Sequence, residues 1–200
     1  GFERTFKAWK TMKKEFYAHS LEEKPPEKWQ PLEVHLKNVA ELSAEFAEAF
    51  GFRDWGYLAG LWHDLGKYQA EFQDRLRGAQ ISVEHSGSGA ALAYEEGKSY
   101  GLPLSFVIGG HHAGLANLMG SSQGQPTPIT DRLKSNQKSL KRLLHILPEH
   151  LTTAPFPRLP PFLSPNGTTS ERQNRINARR CEFWIRFLFS ALVDADRLDA

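Results

Sequence analysis

Within Trp62-His63-Asp64-Leu65-Gly66-Lys67, an imidazole, a carboxylate and an ammonium stand inside one six-residue string. Imidazole and carboxylate together ligate divalent transition ions. On a continuous helix, adjacent side chains project about 100° apart, so His63 and Asp64 share an ion only if it lies over the groove between them. A lone His-Asp pair equally fits a half-buried histidine beside a helix-end aspartate. The remaining histidines therefore decide, and the chain has eight, at positions 19, 35, 63, 85, 111, 112, 145 and 150.

His35 lies on an apolar stripe with Leu32, Leu36, Val39, Leu42 and Phe46; taken alone, it reads as a core histidine. His85 stands near the start of a segment of alanine, glycine and serine. His111 and His112 follow Gly109-Gly110, and adjacent imidazoles in apolar surroundings need polar partners that packing does not supply. Asp194 and Asp196 sit in an otherwise apolar final segment, where a buried carboxylate needs a cation or a donor. One explanation covers all of these residues: five histidines and two aspartates converge on metal. Seven such ligands exceed one tetrahedral zinc site. They suit two ions with water completing the shells, and nitrogen and oxygen donors without sulfur favour Mn, Fe, Co, Ni or Zn over Mg or Ca. Two ions about 3.5–4 Å apart can clamp a phosphate and activate a water. Asp64 is the natural bridge, having two oxygens where an imidazole has one free lone pair.

The elements that must position these groups read as helices. Phe2, Phe6, Trp9, Lys13 and Phe16 predict a short helix over 3–19, broken by Lys24-Pro25-Pro26. Residues 31–50 give the clearest helix, with Pro31 in the first turn and Gly51 as a stop. Further helices are expected over 54–65, 68–77 and 84–96. Residues 103–119 are apolar up to the paired histidines, and 120–130 form a loop. A basic amphipathic helix is expected over 131–147, on Leu133, Leu140, Leu143, Leu144 and Leu147. Residues 148–170 hold six of the twelve prolines and read as a long, irregular, flexible insertion. The last helix, 171–199, is Arg-rich first, then buried through Phe183, Trp184, Phe187, Leu188, Ala191 and Leu192. No stretch shows sustained period-two alternation, so the expected fold is all-α, a single domain.

Composition narrows the class. Over 200 residues, 25 basic and 23 acidic side chains leave a net charge of +2, too balanced for a tail-driven nucleic-acid binder. Hydrophobic residues make up 40%, enough for a packed core. Cys181 is the single cysteine, which excludes an internal disulfide framework and fits a reducing compartment. No apolar run reaches the roughly 18 residues of a membrane span. The amphipathic opening does not read as a signal peptide, so a cytoplasmic location is expected. The chain opens on Gly1, and the last motif runs into Ala200, so the natural protein is expected to continue.

The string HDLGK, with the upstream His35, the downstream Glu84-His85-Ser86, the paired HHAGL and the terminal ADRLD, resembles the HD metal-dependent phosphohydrolase superfamily. The paired histidines before Gly114-Leu115 make it similar to one branch, the HD nuclease domain of the type I CRISPR-associated helicase–nuclease. The resemblance runs in order from residue 35 to about 199. It implies an HD-type helical bundle in which His35, His63, Asp64 and the late aspartate hold one ion and His85, His111 and His112 hold the second, with Asp64 bridging. It implies Lys67 approaching the scissile phosphate. The superfamily pattern of Ala-Asp before a bulky residue selects Asp196, with Asp194 as fallback. Further implications are single-stranded DNA as substrate, endonuclease cleavage with 3′-to-5′ trimming, a helicase domain or subunit, a guide-RNA surveillance complex and a prokaryotic, antiviral setting.

Several features keep a plainer alternative. Lys67 also reads as a solvated helix-end lysine, and Ser86 as a cap. Arg172, Arg175, Arg179 and Lys138, with their basic neighbours, either steer nucleic acid or form solvated helix faces. Trp29, Trp55 and Trp184 read as core. Two rival functions stand beside the nuclease: an HD phosphohydrolase acting on a nucleotide or cyclic dinucleotide, and a non-catalytic helical domain that keeps metal for stability.

Overall fold

A computed structural model describes residues 15–120, 124, 126–163 and 170–200. They form an all-α bundle carrying one two-stranded ribbon. Strands β1 (Tyr17–His19) and β2 (Gln30–Pro31) pair antiparallel, with His19 opposite Gln30. This corrects the helix expected over 3–19. Its described end is extended, and residues 3–14 lie outside the described residues. The cause is a non-local partner: the Gln73 side chain accepts from Tyr17 N at 3.0 Å and donates to Tyr17 O at 2.9 Å. Aromatic spacing cannot register a partner 56 residues away.

Helix α1 (Leu32–Glu48) follows β2 directly and buries Leu32, His35, Leu36, Val39, Ala40, Ser43, Ala44 and Ala47. Helix α2 (Arg53–Trp62) packs along it. Their approach is backbone-close: a Cβ at Gly60 would stand 2.6 Å from Ala40 Cα. Helix α2 stops at Trp62, earlier than expected. His63 keeps helical angles, Asp64 turns to φ −116°, ψ 21°, and Leu65–Tyr68 form a 3-10 turn.

Next come α3 (Ala70–Leu76), α4 (Ser86–Gly97), α5 (Leu102–Gly110), α6 (Ile129–Leu143), α7 (Glu149–Thr152) and α8 (Glu171–Asp199). The small residues of α4 are buried between α5 and α6, while α8 crosses α1, α2 and α5. On α6, Ile129, Leu133, Leu140 and Leu143 are buried, but Leu144, expected on the same stripe, is exposed. The insertion is anchored where it is described. Leu151 is buried and its carbonyl accepts from Trp62 Nε1 at 2.7 Å. Phe156 and Phe162 meet Trp55 and Trp184 edge-on.

Helix α8 corrects a second expectation. Trp184, Leu188, Ala191, Leu192 and Ala195 are buried, whereas Phe183 and Phe187 are 61% and 58% exposed. The two phenylalanines lie about 100° around the helix from the Trp184–Leu188 row, and one helix face packs here, not two. Trp55 and Trp184 are core residues, while Trp29 is half-buried. No helix among the described residues is long and apolar enough to cross a membrane.

Candidate metal centre

Six stretches of chain deliver the chemistry to one point. His35 comes from the first turn of α1, His63 and Asp64 from the break after α2, and Lys67 from the 3-10 turn. His85 precedes α4, His111 and His112 follow α5, and Asp196 sits in the last turn of α8. The break after α2 resolves the angular problem of adjacent ligands, because Asp64 is no longer helical. Gly66 lets the turn lie directly on the His85 backbone: a Cβ there would stand 2.1 Å from His85 O. On the other flank, the Glu84 carboxylate accepts from Ser86 Oγ at 2.6 Å and from Gly87 N at 2.8 Å, which fixes His85 between them. Ser86 thus steadies the turn. Ahead of the histidine pair, the Arg132 guanidinium donates to the Gly109 carbonyl at the end of α5.

Two groups of ligand atoms result, His35, His63, Asp64 and Asp196 in one, and Asp64, His85, His111 and His112 in the other. In the first, Asp64 Oδ2 lies 3.4 Å from His35 Nε2 and 3.3 Å from His63 Nε2. Asp196 Oδ1 lies 3.5 and 3.4 Å from the same two nitrogens. In the second, Asp64 Oδ1 lies 3.5 Å from both His85 Nε2 and His111 Nε2, and His85 Nε2 is 2.8 Å from His112 Nε2. Ligands about 2.1 Å from a common ion stand about 3.0–3.4 Å apart, so this spacing fits a cation in each group. Asp64 gives one oxygen to each.

The outer hydrogen bonds point the same way. Carbonyl oxygens only accept, so His63 Nδ1 carries the hydrogen given to Gly60 O at 2.7 Å, and His111 Nδ1 the one given to Ile108 O at 2.6 Å. His35 Nδ1 meets Asp199 Oδ2 at 2.7 Å. These tautomers turn the bare Nε2 lone pairs inward. His35 Nε2 and His63 Nε2 then face each other at 3.2 Å, and His111 Nε2, buried, has no hydrogen-bond partner. Lone pairs so placed repel one another unless a proton or a metal ion lies between them, and the donor set suits a divalent transition ion.

Electrostatics agree. Burial alone would discharge His63, yet Asp64 and Asp196 overcome it and hold the imidazole up at about 10, a proton doing the work of a cation. Burial works against the Asp64 charge, but the neighbouring His63, His111 and His35 pull it well below the usual carboxylate range. Asp196 falls to about 2 against its own burial, chiefly through His63. Burial, then His111, lowers His112 to about 4, and burial lowers His85 as well. Lys67 is 4% exposed and its Nζ stands 2.6 Å from Asp64 Oδ2. It is therefore part of the centre and not a solvated lysine.

Asp194 lies on the outer side of α8, exposed beside Phe46, Phe50 and Phe187, away from the cluster. Arg172, Arg175, Arg179 and Lys138 are exposed and join neither ligand group; Arg175 pairs with Glu171. The sequence reading missed Asp199. Besides His35, it accepts from Asn38 Nδ2 at 2.7 Å and Gln30 Nε2 at 2.8 Å. Its spacing of three from Asp196, on the same helix face, was the available signal. His19, also passed over, sets its ring edge-on to His35 at 5.0 Å. Burial, then Lys67 and His35, lowers it to about 4.

Residues 32–150 match a family model described as HD domain. That span contains His35, His63, Asp64, His85, His111 and His112, and leaves His19, Asp196 and Asp199 outside. No curated protein matches the chain.

Proposed function

The chain belongs to the HD domain family, metal-dependent phosphohydrolases, and from that premise we propose that it is a nuclease hydrolysing phosphodiester bonds of single-stranded DNA. The observation that carries this reading is the double ligand group joined through Asp64, with His112 exposed at its edge, so that a polymer can reach it. Two divalent transition ions held there would polarise a phosphoryl oxygen and activate a water for in-line attack. The residues of the chain do the rest. Asp64 sets the spacing of the two groups, and the Nδ1 bonds of His35, His63 and His111 hold the imidazoles at fixed angles. Lys67 sets its Nζ against Asp64, where an ammonium can steady charge developing on a phosphate.

The paired histidines before Gly114-Leu115 support a role in CRISPR interference. In that setting the nuclease works in the prokaryotic cytoplasm, beside a helicase domain or subunit and a guide-RNA surveillance complex. Arg172, Arg175, Arg179 and Lys138 are then solvent-facing cations available to the DNA backbone. The test is cleavage of circular single-stranded DNA by the purified chain with Mn, beside a cyclic dinucleotide. Linearised circles and an untouched dinucleotide are expected. Turnover of the dinucleotide with intact circles would replace the nuclease by a nucleotide phosphohydrolase.

A further inference from the structure

We propose that His19 is a substrate-contacting residue of this centre, its Nε2 donating to a non-bridging oxygen of the bound phosphate. The inference rests on the phosphodiester reading above and adds a residue that lies outside both ligand groups and outside the matched family span.

His19 arrives from β1, not from the helices that supply the ligands. The strand is held in place from two sides: Gln73 clamps Tyr17, and Gln30, paired opposite His19, donates to Asp199. Asp199 in turn orients His35. The ribbon thus delivers His19 against the same imidazole that the last helix fixes. The two rings meet edge-on, 5.0 Å apart and at 89°. The charges that His19 feels are those of the centre: Lys67, His35, Asp64 and Asp196.

Its Nε2 is cut off from solvent and has no hydrogen-bond partner among the described residues. Ser43 Oγ, Tyr68 Oη and Trp184 Nε1 are unbonded outside the ligand groups, whereas the Asp64 oxygens and His111 Nε2 are unbonded within them. His19 shares their condition without their geometry, since it is not among the atoms close enough to share an ion. A ring needed only for packing against His35 could be a phenyl, which carries no polar atom to strand. An imidazole placed beside the two ligand groups and not within them has a natural partner in an anionic oxygen of a phosphate bound there.

The decisive variant is His19→Phe, which keeps the edge-on ring and removes the nitrogen. With the Mn-loaded chain, inorganic phosphate binding and the kcat and KM for a short single-stranded oligonucleotide are measured beside Mn affinity and the melting of the ion-free protein. The expected result is phosphate binding and kcat/KM weaker by about 10–100-fold, the loss of one hydrogen bond to a charged group. Mn affinity stays within about twofold, and the ion-free protein melts no lower, because an unsatisfied buried nitrogen is gone. His19→Gln, which restores an N–H, recovers part of the loss. Phosphate binding and kcat/KM equal to an active wild type would overturn the role of His19 alone. So would a loss that follows Mn affinity, since His19 would then act through His35. A wild type that neither binds phosphate nor cuts DNA would overturn the reading of the whole centre, and His19 with it.

Discussion

Replacing Asp199 with alanine removes the acceptor that fixes His35. Three donors lose a partner: His35 Nδ1 at 2.7 Å, Asn38 Nδ2 at 2.7 Å and Gln30 Nε2 at 2.8 Å. Asn38 is exposed and Gln30 half-buried, so both turn to water at little loss. His35 is fully buried and cannot. Its stranded N–H costs about 1–3 kcal/mol of stability in the ion-free protein. Released from Asp199, the ring also loses its fixed tautomer, and such outer partners are worth about 10–100-fold in ion affinity. That is about 1.4–2.7 kcal/mol, and it falls on one group only. His85 and His111 are held by the Val83 and Ile108 carbonyls, so the second group keeps its affinity. Calorimetric titration with Mn, paired with thermal melts, separates the two. Equal weakening of both groups, or no weakening of either, would refute the role given to Asp199.

Lys67→Met, assayed at saturating Mn, is expected to lower kcat about 100-fold while ion content holds; an unchanged kcat would remove Lys67 from the chemistry. Gly66→Ala pushes a methyl to 2.1 Å from the His85 carbonyl, and a loss of about 1–3 kcal/mol is expected with weaker binding at the second group. A normal melt would show that the turn relaxes freely. In the ion-free protein His63 is raised to about 10 from an ordinary value of 6.5. Its contribution to stability is therefore complete below about 6.5 and lost as pH rises through about 10. At pH 8 an arriving ion must displace that proton, so calorimetry in buffers of different ionisation heat should register about one proton released from His63. No release would take His63 out of the ligand set.

The helical class and most helix bodies were legible because burial repeats with the helical period, as on α1. Boundaries and faces were less so. Leu144, Phe183 and Phe187 are apolar at helical spacing, yet which row packs depends on where α4 and α1 lie, which periodicity cannot state. The β1 strand was invisible for the same reason, since its partner Gln73 lies far along the chain. In the centre, the ligand types stood out because adjacent histidines and late aspartates are hard to explain by packing. Asp196 was preferred to Asp194 on the motif alone. Asp199 and His19 were not read because neither belongs to a motif. Their significance comes from which atoms they face, and the ribbon and the last turn of α8 supply that only on folding.

The account stands or falls on two cations sharing Asp64, and anomalous diffraction from crystals soaked in Mn tests it most directly. Two peaks about 3.5–4 Å apart are predicted, one between His35, His63 and Asp196 and one beside His85, His111 and His112, each touching a different oxygen of Asp64. A single peak, or ions bound without Asp64 between them, would contradict the bridged centre on which the proposed hydrolysis depends.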